Sequence, residues 1–309
     1  MENVVKTNFN IKDLENLSSV KAHTIRIWEK RYNLLEPKRT TTNIRIYSLA
    51  DLQKLLNIVF LLKNNYKISK IAKNSTKEIT TLVADIVSKK EFTKETNAIN
   101  SFKISMMGFD QNLFYKTYNT LLATTSFPEI FYNYFTPLLE EIGLLWLTNT
   151  INPSHEHFIT NLIKQKILVN IEHKQHTIAP LFEKTFVLFL PENEIHELGL
   201  LFINYEMVSR GHKVIYLGPS IILDDLKYLA TNHPELSFVT YFTVQPTIDN
   251  IPAYFEKYNA LFGEQQLDLF VLGTQCQHID ETNTPPNIKV MMGIREFVNT
   301  INSSQSNYA

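Results

Sequence analysis

Beyond Lys184 the chain alternates five short apolar runs with helical stretches, and this alternation restricts its fold more than any other feature. The runs are Phe186–Leu190, Lys213–Leu217, Ser237–Phe242, Leu267–Leu272 and Ile288–Met292, and the clearest helical pattern is Leu198–Ser209. Such a rhythm predicts a parallel sheet with right-handed crossovers, whose ligands bind beyond the carboxyl ends of the strands. The segment Glu194-Ile195-His196-Glu197-Leu198-Gly199 follows the first run directly and falls in that place. It offers an imidazole at a strand-to-helix turn, with a carboxylate two residues away that is placed to orient the ring and raise its basicity.

The amino-terminal part has a different texture. Asn10-Ile11-Lys12-Asp13 reads as a capped helix start, with Leu14 and Leu17 as its apolar stripe. Ser18-Ser19 then predicts a tight turn, and Lys21 to Arg31 a second helix. On it Ile25, Trp28 and Tyr32 follow helical spacing and face inward, while His23, Arg26 and Lys30 occupy another face. A short helix, a tight turn and a helix with a basic outer face make a helix-turn-helix. The alternation in Asn43-Ile44-Arg45-Ile46-Tyr47 predicts a hairpin wing, with Ile44 and Ile46 on one side and Asn43, Arg45 and Tyr47 on the other, outward one. Ser48 with Asp51 caps a further helix, buried through Leu52, Leu55, Leu56, Val59 and Phe60. Charge follows the same division. Residues 1–80 carry 15 Lys/Arg against 7 Asp/Glu, a surplus of +8, whereas the remainder carries −9. Only the amino-terminal part is therefore expected to meet a polyanion.

The run Thr24-Ile25-Arg26-Ile27-Trp28-Glu29-Lys30-Arg31-Tyr32, with Leu34-Leu35-Glu36-Pro37-Lys38-Arg39 and Asn43-Ile44-Arg45-Ile46-Tyr47, resembles the winged helix-turn-helix of the MerR family over roughly residues 8–75. The resemblance implies that Arg26 and its neighbours enter the major groove of double-stranded DNA while Arg39, Arg45 and Tyr47 grip the backbone. It also implies a palindromic operator and a homo-oligomer, dimer or tetramer. The residues assigned to DNA are Lys21, His23, Thr24, Arg26, Lys30, Arg31, Lys38, Arg39, Asn43, Arg45 and Tyr47.

Residues 76–100 are polar and read as a linker, with one helical segment around Ile79–Val87. Residues 101–180 read as a helical bundle, with Leu122, Phe131, Phe135, Leu138, Leu139, Ile142, Leu145 and Trp146 supplying its apolar faces. The passage from Pro137 to Trp146, continued by Glu156-His157-Phe158, resembles the cap bundle of cobalamin-binding photoreceptor regulators. That resemblance implies that Trp146, Glu156 and His157 lie over the upper face of a corrin. A family glycine three residues after the Trp is Asn149 here, which still tolerates a left-handed backbone. Light-sensing members carry a His directly after this Trp, where this chain has Leu147, which cannot ligate a metal. A photoproduct with two imidazoles is not expected.

The spacing of Glu194, His196 and Gly199 resembles the motif with which corrinoid-binding domains present an imidazole to cobalt. It implies His196 as the metal ligand, Glu194 as its orienting acid where the usual motif has Asp, and Gly199 as clearing room for the nucleotide tail. Val239-Thr240-Tyr241-Phe242 resembles the Ser-x-Leu element lining that tail pocket, and Gly273-Thr274 stands where two glycines often occur. By that resemblance Thr240 and Gly273 join the cofactor-binding residues, and the cofactor is adenosylcobalamin or methylcobalamin held through its cobalt.

The expected architecture is thus multidomain, α and α/β: a winged helix-turn-helix at 1–75, the linker, the bundle, and a flavodoxin-like, Rossmann-type parallel domain at 181–309. The single Cys276 excludes a disulfide framework and a Cys-rich zinc site. A polar amino terminus and the lack of any membrane-length apolar run point to a cytoplasmic protein that binds no membrane. No substrate barrel or second catalytic constellation is present, so catalysis is not expected. Two readings stand: a MerR-type regulator whose operator affinity is modulated by cobalamin held between bundle and α/β domain, or one that has lost cobalamin and answers to a protein partner.

Overall fold

The computed structural model describes residues 8–89, 94–147, 150–232 and 235–305. The chain forms two compact units, Met1–Leu162 and Ile163–Ala309.

In the first unit β1 (Asn8–Phe9) leads into α1 (Ile11–Ser18). The Asn10 side chain accepts from the amides of Lys12 and Asp13 at 2.8 and 3.0 Å, and Asp13 accepts from the Asn10 amide at 2.9 Å. This is the reciprocal cap expected from their spacing. Ser19, left-handed at φ 60°, ends the helix, and α2 (Ala22–Tyr32) follows. Then come β2 (Lys38–Arg39) and β3 (Arg45–Ser48), and Ser48 with Asp51 caps α3 (Leu49–Lys63). On α3 the buried set includes Ile58, while Val59 is only half-buried.

β3 is the central strand of three, paired to β1 on one side and β2 on the other. Here the expected facing is overturned. Ile44 precedes the strand and is 56% exposed, whereas Tyr47 pairs with Phe9 and both are fully buried. Pairing with β1 fixes which side of β3 faces the core, and the alternation within five residues cannot reveal it.

After α4 (Ile68–Ile71), the stretch read as a linker is largely α5 (Thr76–Lys89). Ile79 and Val83 are buried with Leu34, Ile58, Leu61 and Ile71. Its polar residues form the outer face of an amphipathic helix that completes the amino-terminal core. The bundle comprises α6 (Lys94–Gly108), α7 (Gln111–Leu122), α8 (Phe127–Ile130), a π-helical stretch at Phe131–Phe135, α9 (Thr136–Leu147) and α10 (Pro153–Thr177). Phe102 anchors its core, with ring centroids 5.1 Å from Phe114 and 5.5 Å from Phe135. From Ile163 onward α10 belongs to the second unit.

The second unit runs β4 (Thr185–Pro191), α11 (Leu198–Val208), β5 (Lys213–Ile221), α12 (Lys227–Asn232), β6 (Leu236–Tyr241), α13 (Ile251–Phe262), β7 (Leu269–Leu272), β8 (Ile288–Val290) and α14 (Ile294–Gln305). All five strands are parallel, in the order β5-β4-β6-β7-β8. Both faces are covered. Val187, Phe189 and Phe238 pack with Phe255 and Tyr258 of α13, while Phe186, Leu188 and Val239 pack with Leu200 and Ile203 of α11 and Phe297 of α14. That double burial is why the strands read as continuous apolar runs. The order reverses between β4 and β6, and their carboxyl ends flank the crevice where such sheets bind ligands. Among the described residues no helix is long and apolar enough to cross a membrane.

Candidate functional site

Glu194 lies in the turn after β4, at this switch point, and is fully buried. One carboxylate oxygen accepts from the amides of Ile195 and His196, both at 2.9 Å, and meets His196 Nδ1 at 2.6 Å. The other accepts from the amides of Val244 at 2.6 Å, Gln245 at 2.8 Å and Thr243 at 3.3 Å. A single acid therefore ties the loop after β4 to the loop after β6. Burial alone would raise its pKa, but the bonds from His196 and from the amides of Gln245, His196 and Val244 outweigh it and hold the carboxyl down to about 2. Ionised Glu194 makes Nδ1 of His196 the protonated nitrogen and Nε2 the lone-pair one. The imidazole side chain is 44% exposed at the sheet's carboxyl edge.

Large apolar side chains are exposed along the same edge: Ile195 after β4, Ile222 after β5, Val244 after β6 and Met292 after β8. Four strand ends thus each carry an exposed apolar side chain at the edge where ligands of such sheets bind. Beside them Glu197 receives Lys164 Nζ at 2.5 Å and the Tyr216 hydroxyl at 3.2 Å. Burial and Glu197 push the Tyr216 phenol well above its ordinary range. Among the described residues no group of three or more His, Cys, Asp and Glu could hold a metal ion.

The cradle expected for a nucleotide tail is a different matter. A Cβ on Gly199 would stand 2.6 Å from a Tyr241 ring carbon, so the space that this glycine clears holds the tyrosine. Tyr241 shares the face of Val239, towards α11. Thr240 has the parity of Phe238 and Phe242 on the other face, is fully buried, and its hydroxyl oxygen has no hydrogen-bond partner. The two-residue period of a strand thus separates Thr240 from Gly199, contrary to the expectation that both line one pocket. Gly273, at φ 113° and ψ 174°, meets the Phe242 backbone so closely that any Cβ would collide with it. Its need is conformational. The axial position fits a corrinoid cobalt; the space beside Gly199 does not fit a nucleotide tail.

In the first unit Trp146 is 51% exposed near the end of α9, close to exposed Leu144, so core packing does not account for the indole. Glu156 is half-buried in the first turn of α10, and His157 is exposed. His155 is buried: its Nδ1 accepts from the Asn152 amide at 3.1 Å and its ring lies 4.7 Å from that of Phe109. Asn149 and the Leu147 side chain lie outside the described residues. Thr150 is buried and accepts from the Asn16 side-chain amide at 2.7 Å, which fastens the segment after Trp146 to α1.

Lys21, His23, Arg26, Lys30 and Arg31 are exposed at the start and along the outer face of α2, with Thr24 half-buried, and Lys38, Arg39 and Asn43 are exposed on the wing. Arg39 steadies the wing's turn through the Asn43 side chain at 2.7 Å. Arg45 is half-buried with Nε 2.9 Å from Glu29, and the buried Tyr47 hydroxyl donates to the other Glu29 oxygen. Burial and Glu29 push the Tyr47 phenol far up. Tyr47 therefore pins the wing to α2 from inside, where an outward grip on the DNA backbone was expected. Tyr47→Phe is expected to cost about 1.5–3 kcal/mol, the worth of a hydrogen bond to a charged group, and to weaken DNA binding through the loosened wing. Urea unfolding and a DNA titration check this, and unchanged stability would contradict the pinning role.

Residues 9–77 match the family model described as MerR HTH family regulatory protein, and residues 98–169 match one described as B12 binding domain. The HTH-type transcriptional repressor CarH of Myxococcus xanthus is 26% identical over 229 residues, covering 72% of this chain and 75% of that protein. The HTH-type transcriptional regulator MlrA of Escherichia coli (strain K12) is 30% identical over 63 residues, 20% of this chain and 26% of that one. Among solved structures, the Methanosarcina barkeri monomethylamine corrinoid protein aligns with a TM-score of 0.49 and 10% identity, over 68% of this chain and 96% of that one. The chain thus joins a MerR-type helix-turn-helix to a helical domain of the B12-binding kind.

Proposed function

We propose that this chain is a DNA-binding transcriptional regulator whose operator affinity is set by a corrinoid ligated through His196. The observation that carries this reading is the buried, ionised Glu194 holding an exposed imidazole at the switch point of a parallel sheet. A bound corrinoid would supply a cobalt that an imidazole nitrogen can ligate, and His196 would be the residue to hold it. Glu194 fixes the tautomer and aim of His196, and Ile195, Val244 and Met292 give the ring an apolar seat. Trp146, Glu156 and His157 stay candidate corrinoid contacts in the helical domain, and half-exposed Trp146 supports that candidacy. The exposed basic face of α2 enters the operator, which a homo-oligomer reads as a palindrome.

The route from ligand to operator passes through Asn16 and Thr150, which join α1 of the helix-turn-helix to the segment after Trp146. Allosteric couplings amount to about 1–3 kcal/mol, or 5- to 150-fold in affinity. A bound corrinoid, supplied as aquocobinamide or as hydroxocobalamin, is therefore expected to shift the operator affinity of the full chain by a factor in that range. Asn16→Ala should bring that factor to within about twofold while the corrinoid still binds. Paired operator titrations with and without each corrinoid test this; an affinity that ignores both in the unmutated chain would reject the reading. The tyrosine seated against Gly199 favours a second reading, a regulator answering to a protein partner, which a protein without any spectral response to corrinoids would select.

A further inference from the structure

We infer that Tyr241 closes the site to a nucleotide tail, so that the ligand this chain favours is a corrinoid ring lacking the lower nucleotide. This rests on the corrinoid reading above and specifies its ligand. A complete cobalamin carries its own base for the lower axial position. If the His196 imidazole takes that position, the displaced base with its ribose and phosphate must be housed beside the helix that His196 leads into. The opening available there is Gly199, three residues on in the first turn of α11. Tyr241 fills it, with three ring carbons 2.6, 2.8 and 2.9 Å from where a side chain on Gly199 would begin.

A cavity of about 410 Å³ opens among residues 243–248 and 274–278, but neither Gly199 nor Tyr241 lines it. The cavity that Tyr241 does line measures about 140 Å³, with Leu272, Gly273, Thr274, Met292 and Ile294 around it. Sites that enclose drug-sized ligands start at about 300 Å³. No Lys or Arg lines it, so a phosphodiester would enter without a countercharge. Thr240, the hydroxyl nearest in sequence, is fully buried with the residues of the opposite face. On the side of the ring, Glu194 aims His196, and apolar side chains are exposed along the same edge. The geometry accepts the ring and refuses the tail.

The test titrates the full-length protein with aquocobinamide, which has no nucleotide, and with hydroxocobalamin, by visible absorption and by calorimetry. Cobinamide is expected to bind at least about tenfold more tightly than cobalamin, a difference of about 1.4 kcal/mol. Tyr241→Ala should raise cobalamin affinity about tenfold or more and leave cobinamide within about twofold, whereas Tyr241→Phe, which keeps the ring, should preserve the unmutated ratio. Equal or tighter binding of cobalamin by the unmutated protein overturns the inference, whatever the variants do, and so does an unchanged ratio in a folded Tyr241→Ala protein. Failure of both corrinoids to bind, or spectra that His196→Ala leaves unchanged, overturns the corrinoid reading itself and the inference with it. The two failures are distinguishable.

Discussion

Replacing Glu194 by Ala is expected to destabilise the α/β unit by about 3–5 kcal/mol, because a buried polar network loses its only shared acceptor. The amides of Ile195, His196, Thr243, Val244 and Gln245 all bond to this one fully buried carboxylate. Each amide left without an acceptor costs about 1–3 kcal/mol, partly recovered as the loops relax towards water. The same carboxylate gives the unit an acid-labile component. Burial opposes ionisation, yet the His196 ring and the amides hold the folded pKa at about 2, below its ordinary 4.5. The stabilisation is therefore complete above about pH 4.5 and disappears as pH falls from there towards 2; it is worth about 3 kcal/mol at neutrality. Urea midpoints at pH 7 and pH 3 measure both effects. The unmutated protein should lose stability between them more steeply than Glu194→Ala, and parallel losses would show that Glu194 is not the group that titrates.

What the sequence makes legible is local. The capping boxes at Asn10 and Ser48 and the five apolar runs announce themselves within a few residues, and the folded chain places them as their spacing predicts. The misread features depend on partners far along the chain. Tyr47 turns inward because β3 pairs with Phe9, almost forty residues away. Tyr241, not Thr240, meets Gly199 because sheet pairing decides which parity of β6 faces α11. Half of the hold on Glu194 comes from backbone amides about fifty residues downstream, and a backbone N–H has no residue type to betray it. Asn16 and Thr150, 134 residues apart, are polar residues of a common kind that only the fold brings together. The α5 segment was hidden by composition instead: among the described side chains Ile79 and Val83 are buried and Leu82 packs beside them, within a run rich in Thr, Lys, Glu and Asp.

His196→Ala is expected to separate ligand binding from folding, which Glu194→Ala cannot do. The imidazole is nearly half exposed, and its removal leaves the five amide bonds of Glu194 in place. The stability cost should stay at about 1.5–3 kcal/mol, the worth of one hydrogen bond to a charged group, and below that of Glu194→Ala. Corrinoid affinity should fall by at least about 100-fold, since even residues that merely orient a metal ligand carry 10- to 100-fold. Glu194→Gln probes the step between these extremes. An amide NH2 facing His196 would donate to Nδ1, move the ring proton to Nε2, and so block the nitrogen that cobalt requires. Its affinity loss should reach about 10- to 100-fold, with a stability loss below that of Glu194→Ala, because the new NH2 also faces the amides of Ile195 and His196 while the other oxygen keeps its three. Thermal unfolding of the ligand-free proteins, set beside corrinoid titrations followed by absorption, distinguishes the three variants. If His196→Ala binds either corrinoid as the unmutated chain does, the imidazole is not the cobalt ligand, and Glu194 serves only to fasten two loops.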